Sequence, residues 1–136
     1  MNCAGNVLYV EKNPSAGRLL SRLLEDSGFE VFVSYEPMRA LDLCASQDFG
    51  LALLEYMLPQ ITGPQLAERI KQLRPEAPVV MLSGRRRLPA SELLHVDAHF
   101  GSYTSFDDLL QRMRTLCKRE RGAARPTEKY LWGDST

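Results

Sequence analysis

Two acidic residues and one serine directly follow short apolar runs in the sequence: Glu11, Glu55 and Ser83. Carboxylates are the side chains with which proteins hold Mg²⁺, usually one or two of them in near-octahedral geometry. Lys12 follows Glu11 at once, so Glu11, Lys12 and Glu55 together carry a net charge of only −1. Such a group attracts a dication weakly, and the ammonium could lie where a metal ion would. We therefore expect no bound metal ion. Glu11 and Glu55 are only weak candidates for metal ligands.

Five short apolar segments must position these side chains. Each segment is apolar throughout, without alternation between apolar and polar residues, which is typical of parallel strands covered by helices on both faces. The predicted strands are 7–10, 31–33, 51–54, 79–82 and 98–100. Glu11, Glu55 and Ser83 thus each follow the end of a strand.

Helical patterns separate the strands. The predicted helices are 14–27, 36–47, 64–73, a short and weakly patterned 89–96, and 105–121. Pro14 suits the first turn of the first helix and Gly28 suits its C-terminal cap. That helix carries four leucines at helical spacing: Leu19, Leu20, Leu23 and Leu24.

Five alternations of strand and helix predict an α/β fold with a doubly wound, five-stranded parallel sheet of order 2-1-3-4-5 and five helices. In such sheets the functional crevice opens at the carboxyl ends of the strands, beside the switch point between strands one and three. The loops that begin at Glu11, Glu55 and Ser83 are therefore the expected site.

Composition excludes several classes of protein. The 136 residues suffice for one domain, and 17 basic against 17 acidic residues leave no net charge to attract nucleic acid or an anionic membrane. Apolar runs of about five residues are far shorter than the roughly 20 needed to cross a bilayer, and the N-terminus lacks a signal-peptide layout. We expect a cytoplasmic protein that binds neither membrane nor nucleic acid, with a domain at 5–121 and a flexible tail at 122–136.

The three cysteines, Cys3, Cys44 and Cys117, are widely spaced and form no CxxC pair. This argues against a disulfide framework and against a zinc site. We expect Cys44 and Cys117 to be buried helix residues. No glycine-rich phosphate loop follows the first strand and no Ser or Cys nucleophile set is evident, so an enzyme or a cofactor protein is a minor alternative.

Three segments resemble the receiver domain of two-component response regulators, and the resemblance extends over residues 5–120. They are the start of the first helix, the loop after strand three and the end of strand four: Val10-Glu11-Lys12-Asn13-Pro14, Tyr56-Met57-Leu58-Pro59-Gln60-Ile61-Thr62-Gly63 and Met81-Leu82-Ser83-Gly84. The resemblance implies a flavodoxin-like fold and a role in phosphorelay signalling. It also implies protein partners, such as a histidine kinase or an output protein.

The chemical positions depart from the pattern of that family. The family carries an acidic pair where this chain has Glu11 and Lys12, a phosphoacceptor Asp where it has Glu55, and Lys-Pro where it has Ser102 and Tyr103. Glu55 is one methylene longer than Asp, and a misplacement of about 1 Å can cost about 100-fold in rate. Without the lysine at position 102, a cation that would pair with phosphoryl oxygens is also missing.

Two interpretations of Glu55 stay open. Its longer, charged side chain could mimic the phosphorylated state, or it could pair with Lys12 or Arg85 in a structural salt bridge.

The resemblance makes Ser83 the switch hydroxyl and puts His99 where the family has a switching aromatic ring. Arg85 and Tyr103 complete the candidate binding or switch residues, and Arg85 with Arg86 and Arg87 could also grip an acidic partner.

We interpret the chain as a stand-alone pseudo-receiver that acts through protein–protein contact, without phosphorylation and without a cofactor, and is not an enzyme. The resemblance places its contact face, and a homodimer interface, on the predicted fourth helix, strand five and fifth helix. One alternative is a receiver that a histidine kinase or a small phosphodonor still phosphorylates.

Overall fold

The computed structural model describes residues 5–101 and 104–124, and side chains as far as 117. Five strands lie where the apolar runs predict them. They are β1 (Asn6–Val10), β2 (Glu30–Ser34), β3 (Leu51–Glu55), β4 (Val79–Leu82) and β5 (Ala98–Phe100). Their central residues are apolar and almost fully buried in β1, β3 and β4, which explains why these segments show no alternation.

All strand pairs are parallel, and the order is β2-β1-β3-β4-β5, as predicted. Val10 pairs with Leu54 and Glu55 pairs with Leu82, so β1, β3 and β4 end at the same edge of the sheet. The residues that follow these strands therefore meet at the switch point between β1 and β3.

The described residues form four α-helices. Three of them connect strands, namely α1 (Pro14–Asp26), α2 (Pro37–Ser46) and α3 (Gly63–Leu73), and α4 (Phe106–Ala124) follows β5. The prediction of a helix over 89–96 is wrong, because the chain forms only a short 3-10 turn at Ala90–Leu93. That segment has no side-chain cap and no buried residue, so little packing stabilises a longer helix. The helix predicted as the fifth is α4 here.

Helices cover both faces of the sheet and form two cores. On one face α1 and α4 pack through Leu24, Leu109 and Met113, and on the other α2 and α3 pack through Cys44 and Ile70. Cys44 and Cys117 are both buried free thiols, as expected. Burial raises the pKa of Cys44 to about 11, which makes it unreactive.

The leucines of α1 do not all face the core. Leu24 is fully buried and Leu20 half-buried, whereas Leu19 is 64% exposed and Leu23 is 39% exposed. The helix begins at Asn13, whose side chain accepts hydrogen bonds from two backbone N–H groups, and Gly28 follows its end with φ +104°.

Several predicted features lie outside the described residues: Cys3, Ser102, Tyr103 and residues 125–136. Helix α4 runs to Ala124, so residues 122–124 are helical, while the domain boundaries 5–121 and 122–136 stay a prediction. None of the helices in the described ranges is long and apolar enough to cross a membrane.

Candidate functional site

The end of β1 holds Glu11 in a buried position. The Tyr9 hydroxyl donates to Glu11 Oε1 at 3.1 Å, and the Asn13 backbone N–H donates to Glu11 Oε2 at 3.1 Å. Both oxygens of this carboxyl are thus engaged by the protein, and the second bond fixes the turn from which Asn13 caps α1. Burial and the neighbouring Glu11 raise the pKa of Tyr9, so Tyr9 stays a neutral hydrogen-bond donor.

Lys12 binds the end of β3. Its Nζ lies 2.7 Å from Glu55 Oε2 and 2.8 Å from the Met57 carbonyl oxygen, and its backbone N–H donates to Glu55 Oε1 at 3.2 Å. The Lys12 side chain is 47% exposed and that of Glu55 is 20% exposed. Of the two partners that the sequence suggested for Glu55, the structure brings Lys12 to it.

The two carboxyl groups of the site influence one another. Burial raises the pKa of Glu11, and a hydrogen bond with Glu55 acts in the same direction. For Glu55, burial opposes ionisation, but hydrogen bonds with Glu11 and Lys12 prevail and lower its pKa. Glu55 therefore carries the negative charge that faces the Lys12 ammonium, and Glu11 is the group of the pair that takes up a proton first.

The donor set does not fit Mg²⁺. Several oxygens at this edge could bind a cation, but Lys12 Nζ already binds Glu55 Oε2 and the Met57 carbonyl, and the Lys12 backbone N–H donates to Glu55 Oε1. Both oxygens of Glu11 accept hydrogen bonds from the protein. Among the described residues no group of three or more His, Cys, Asp or Glu side chains could hold a metal ion. A divalent cation would have to displace the ammonium and face its charge.

Ser83, at the end of β4, points toward β5. Its Oγ lies 2.8 Å from His99 Nε2, and it exchanges hydrogen bonds with the backbone of Arg85, accepting from the N–H at 3.1 Å and donating to the carbonyl at 3.0 Å. Within the described chain its hydroxyl makes no hydrogen bond to Glu55. Burial lowers the pKa of His99, which is therefore neutral at pH 7.

Two residues of the site were not singled out as candidates, Tyr56 and Glu92. The Tyr56 hydroxyl donates to Glu92 Oε1 at 2.8 Å, and the Arg85 guanidinium carbon lies 5.7 Å from the centre of the Tyr56 ring. Arg85 thus contacts the residue next to Glu55. Tyr56 lies in the loop after strand three, one of the segments that carry the family resemblance. Nothing in the sequence indicates that Glu92, 36 residues later, is its hydrogen-bond partner.

Gly63 allows α3 to begin directly beneath the site. A Cβ at this position would lie 2.6 Å from the carbonyl oxygen of Glu55 and 2.9 Å from Cα of Tyr56. Those neighbours are backbone atoms and cannot move aside cheaply. The Gly63 N–H donates to the Tyr56 carbonyl at 2.9 Å, so this glycine closes the loop that carries Glu55.

A groove of about 380 Å³ lies between β5 and α4. Its lining is mixed in polarity: Ala98, His99, Phe100, Asp108, Gln111, Arg112 and Thr115. His99 contributes to both the groove and the Ser83 hydrogen bond, so a single side chain connects the carboxyl edge of the sheet with this outer face.

Curated relatives resemble the chain over most of its length. An uncharacterised transcriptional regulatory protein of Bacillus subtilis, YkoG, is 27% identical over 119 residues, which cover 85% of this chain and 52% of that protein. The transcriptional regulatory protein CusR of Escherichia coli is 28% identical over 122 residues, 87% of this chain and 52% of CusR. The chain spans about half the length of the curated relatives it matches.

Solved structures share the fold. A CheY-like response regulator receiver domain protein of Methanospirillum hungatei superposes with a TM-score of 0.80 at 24% identity, covering 87% of this chain and 97% of that one. The response regulator TrrA of Thermotoga maritima, solved in complex with Mg²⁺ and BeF, gives a TM-score of 0.77 at 22% identity, covering 85% and 99%.

The family of response regulator receiver domains matches residues 7–100, which is more than half of the chain and spans β1 to β5. This match agrees with the order of the strands and with the loops that surround Glu55. The chain therefore belongs to the response regulator receiver domain family.

Proposed function

We propose that this receiver domain signals by binding a protein partner without being phosphorylated. The observation that carries the proposal is the salt bridge between Lys12 Nζ and Glu55 Oε2, at 2.7 Å. Lys12 occupies one of the positions where the family has an acidic residue, and Glu55 stands at the phosphoacceptor position. The protein thus supplies its own cation to its own carboxylate.

This arrangement opposes phosphoryl transfer in two ways. Transfer to a carboxylate depends on a metal ion that neutralises the transferring oxygens, and Lys12 already holds the oxygens of Glu55 and Met57. The same salt bridge turns the Glu55 carboxylate toward Lys12, whereas an attacking oxygen must be free and in line with the leaving group. The Mg²⁺ and BeF that TrrA holds would therefore find no equivalent site here.

A structural salt bridge is better supported than phosphate mimicry. A mimic of the phosphorylated state should draw the switch hydroxyl toward Glu55, yet the Ser83 hydroxyl is engaged by His99 and by the backbone of Arg85. The orientation of the Ser83 side chain is thus set by His99 and the Arg85 backbone, and the Glu55 side chain does not bond to it.

The contact face that we propose consists of the 3-10 turn, β5 and α4. His99 links this face to Ser83, Glu92 links it to Tyr56, and the groove between β5 and α4 offers a binding surface of mixed polarity. A histidine kinase or an output protein is the kind of partner that receiver domains bind. The face would be presented in one fixed conformation, independent of a phosphodonor.

Beryllofluoride binding tests the proposal. We would record amide NMR spectra of the ¹⁵N-labelled chain before and after adding Mg²⁺ with beryllofluoride. The spectrum of the wild-type chain should not change around Glu11, Lys12 and Glu55, whereas a Lys12→Asp, Glu55→Asp variant should show saturable shifts there. Saturable shifts at these amides in the wild-type chain would overturn the proposal.

A further inference from the structure

The strand β5 forms one edge of the sheet, because among the described residues only β4 pairs with it. Its three residues, Ala98–Phe100, are all half-buried, whereas the central strands β1 and β3 are almost fully buried. Helix α4 packs chiefly on β3 and leaves β5 partly uncovered. The groove between β5 and α4, which all three residues of β5 line, therefore lies along an open edge of the sheet.

The backbone of His99 faces this edge. Successive residues of a strand turn their backbone groups to opposite sides. In β4 the Leu82 carbonyl accepts from Tyr56 on the β3 side, and the next residue, Ser83, donates its N–H to the Phe100 carbonyl on the β5 side. Since Phe100 thus faces β4, the N–H and C=O of His99 before it point away from β4. Such groups on a sheet edge are a template for a further strand.

Two opposite charges line the α4 side of the groove. Asp108 and Arg112 lie one helical turn apart, both are exposed, and no salt bridge among the described residues involves either of them. The two residues are about 6 Å apart along the helix axis. Alternate residues of a strand lie about 6.6 Å apart on one face. Two neighbouring side chains on one face of an extended segment therefore match the spacing of the two charges.

A strand suits this groove better than a helix does. A helix satisfies its backbone groups internally, so it offers no partner for the N–H and C=O of His99. An extended segment pairs with both of these groups and turns every second side chain toward α4. The open backbone of β5 and the charges of α4 can thus be used by one bound segment at the same time.

Topology favours a segment of another protein over the chain that follows α4. Helices α1 and α4 pack on the same face of the sheet, and α1 connects β1 to β2, in the direction away from β5. A connection through α4 to a parallel strand beyond β5 would cross the same face in the opposite direction and would have the opposite hand. Connections of this kind are right-handed in about 98% of cases, and the hand required here is the left one.

We propose that a partner protein adds an extended segment to the edge of β5 as a sixth strand. The segment bonds to the backbone of His99 and places a basic side chain opposite Asp108 and an acidic one, two residues away, opposite Arg112. In this mode of recognition the backbone bonds give affinity and the alternate side chains give specificity. The inference rests on the proposed function, whose contact face includes β5 and α4, and it specifies the class of partner.

Peptide selection tests this inference on the unmodified protein. A phage-displayed library of random peptides of about 12 residues, enough for one strand and its flanks, is selected on the wild-type chain without a phosphodonor. The selected peptides should carry a basic and an acidic residue two positions apart. Each backbone N–H of one peptide is then methylated in turn, and isothermal titration calorimetry measures the affinity. Methylation should weaken binding about 10-fold at alternate positions only, because every second N–H of an added strand faces β5.

Two pairs of variants locate the bound peptide. His99→Pro removes the outward N–H, which an edge strand tolerates, and should weaken binding about 10-fold, whereas His99→Ala removes only the side chain and should stay within about threefold of the wild type. Asp108→Asn should weaken binding about threefold. Asp107→Asn, at an exposed position that does not line the groove, should leave binding unchanged. Circular dichroism checks that each variant is folded, and the methylated peptides need no variant at all.

Peptides that bind as helices, or whose affinity does not depend on alternate methylation, would overturn the inference. A selection that yields no peptide for the wild-type chain would overturn it too. Peptides that bind the wild-type chain away from β5, as mapped by amide NMR shifts, would overturn this inference and leave the proposed function standing. Peptides that bind only the Lys12→Asp, Glu55→Asp variant with Mg²⁺ and beryllofluoride would contradict the proposed function as well.

Discussion

Lys12 and Glu55 join the ends of two neighbouring strands through a 2.7 Å contact between Nζ and Oε2. The same ammonium binds the Met57 carbonyl oxygen at 2.8 Å, so it spans the turn that follows β3. Its charge neutralises the carboxylate whose pKa is lowered, and Glu11 beside it is the carboxyl whose pKa is raised. Lys12 thus neutralises the Glu55 carboxylate without any added ion.

Glu55→Gln should destabilise the fold only modestly. The variant loses the charge pair with Lys12, and because the lysine side chain is 47% exposed, solvent screening limits the loss to about 0.5–1 kcal/mol in the free energy of unfolding. Urea unfolding at pH 7 measures it, and the difference from wild type should shrink in 1 M salt, a concentration at which the Debye length falls to about 3 Å. Glu76→Gln, at an exposed position, is the control. A loss that salt does not reduce would show that Glu55 does not stabilise the fold through its charge.

The protein should become less stable as the pH is lowered, and part of this loss should depend on His99. Because burial lowers its pKa in the folded state, the unfolded chain binds the proton more readily. The contribution of neutral His99 is therefore present above its ordinary pKa of about 6.5 and is lost as the pH falls below that value. His99→Phe should remove this part of the pH dependence, as measured by urea unfolding between pH 7.5 and pH 5. Identical pH profiles of the two proteins would contradict this.

Tyr56→Phe should loosen the 3-10 turn. The substitution removes the hydrogen bond from the Tyr56 hydroxyl to Glu92 Oε1 while keeping the ring beside Arg85. Hydrogen exchange should become about 3- to 10-fold faster at the amides of residues 90–96, as expected for the loss of one hydrogen bond worth about 1 kcal/mol. The strand amides of β1 and β3 serve as the internal reference. If exchange in the turn is unchanged, Tyr56 does not anchor it.

Gly63→Ala should be strongly destabilising, by about 2 kcal/mol or more, because the new Cβ would lie 2.6 Å from the Glu55 carbonyl oxygen and 2.8 Å from Met81 Sδ. Gly84→Ala is the matched control, since a Cβ there meets nothing within 4 Å. Thermal unfolding of the two variants compares them directly. Equal melting temperatures would show that the close approach at Gly63 is not needed.

Much of the fold could be predicted from the sequence because its signals are local. Continuous apolar runs predicted all five strands, and Pro14 and Gly28 marked the ends of α1 to within two residues. The fourth helix was predicted wrongly because helical spacing over 89–96 says nothing about burial, and no residue of the observed turn is buried. The exposed Leu19 and Leu23 show the same limit, since periodicity does not tell which leucines a neighbouring helix covers.

The candidate site could be predicted only in part, because its contacts join residues far apart in the chain. Topology predicted that Glu11, Glu55 and Ser83 would meet at one edge, and the charges made Lys12 a partner for Glu55. The direction of the Ser83 side chain, toward His99, depends on rotamers and on the β4–β5 register. Such features become visible only in the structure.

The central claim is that Glu55 accepts no phosphoryl group, and intact-protein mass spectrometry tests it most directly. The wild-type chain and the Lys12→Asp, Glu55→Asp variant are incubated with acetyl phosphate and Mg²⁺, and the intact mass of each is then measured. We predict that the mass of the wild-type chain does not change, because Lys12 holds the Glu55 carboxylate. A stoichiometric gain of one phosphoryl group on the wild-type chain, mapped to Glu55, would contradict the account and identify a working phosphorelay receiver.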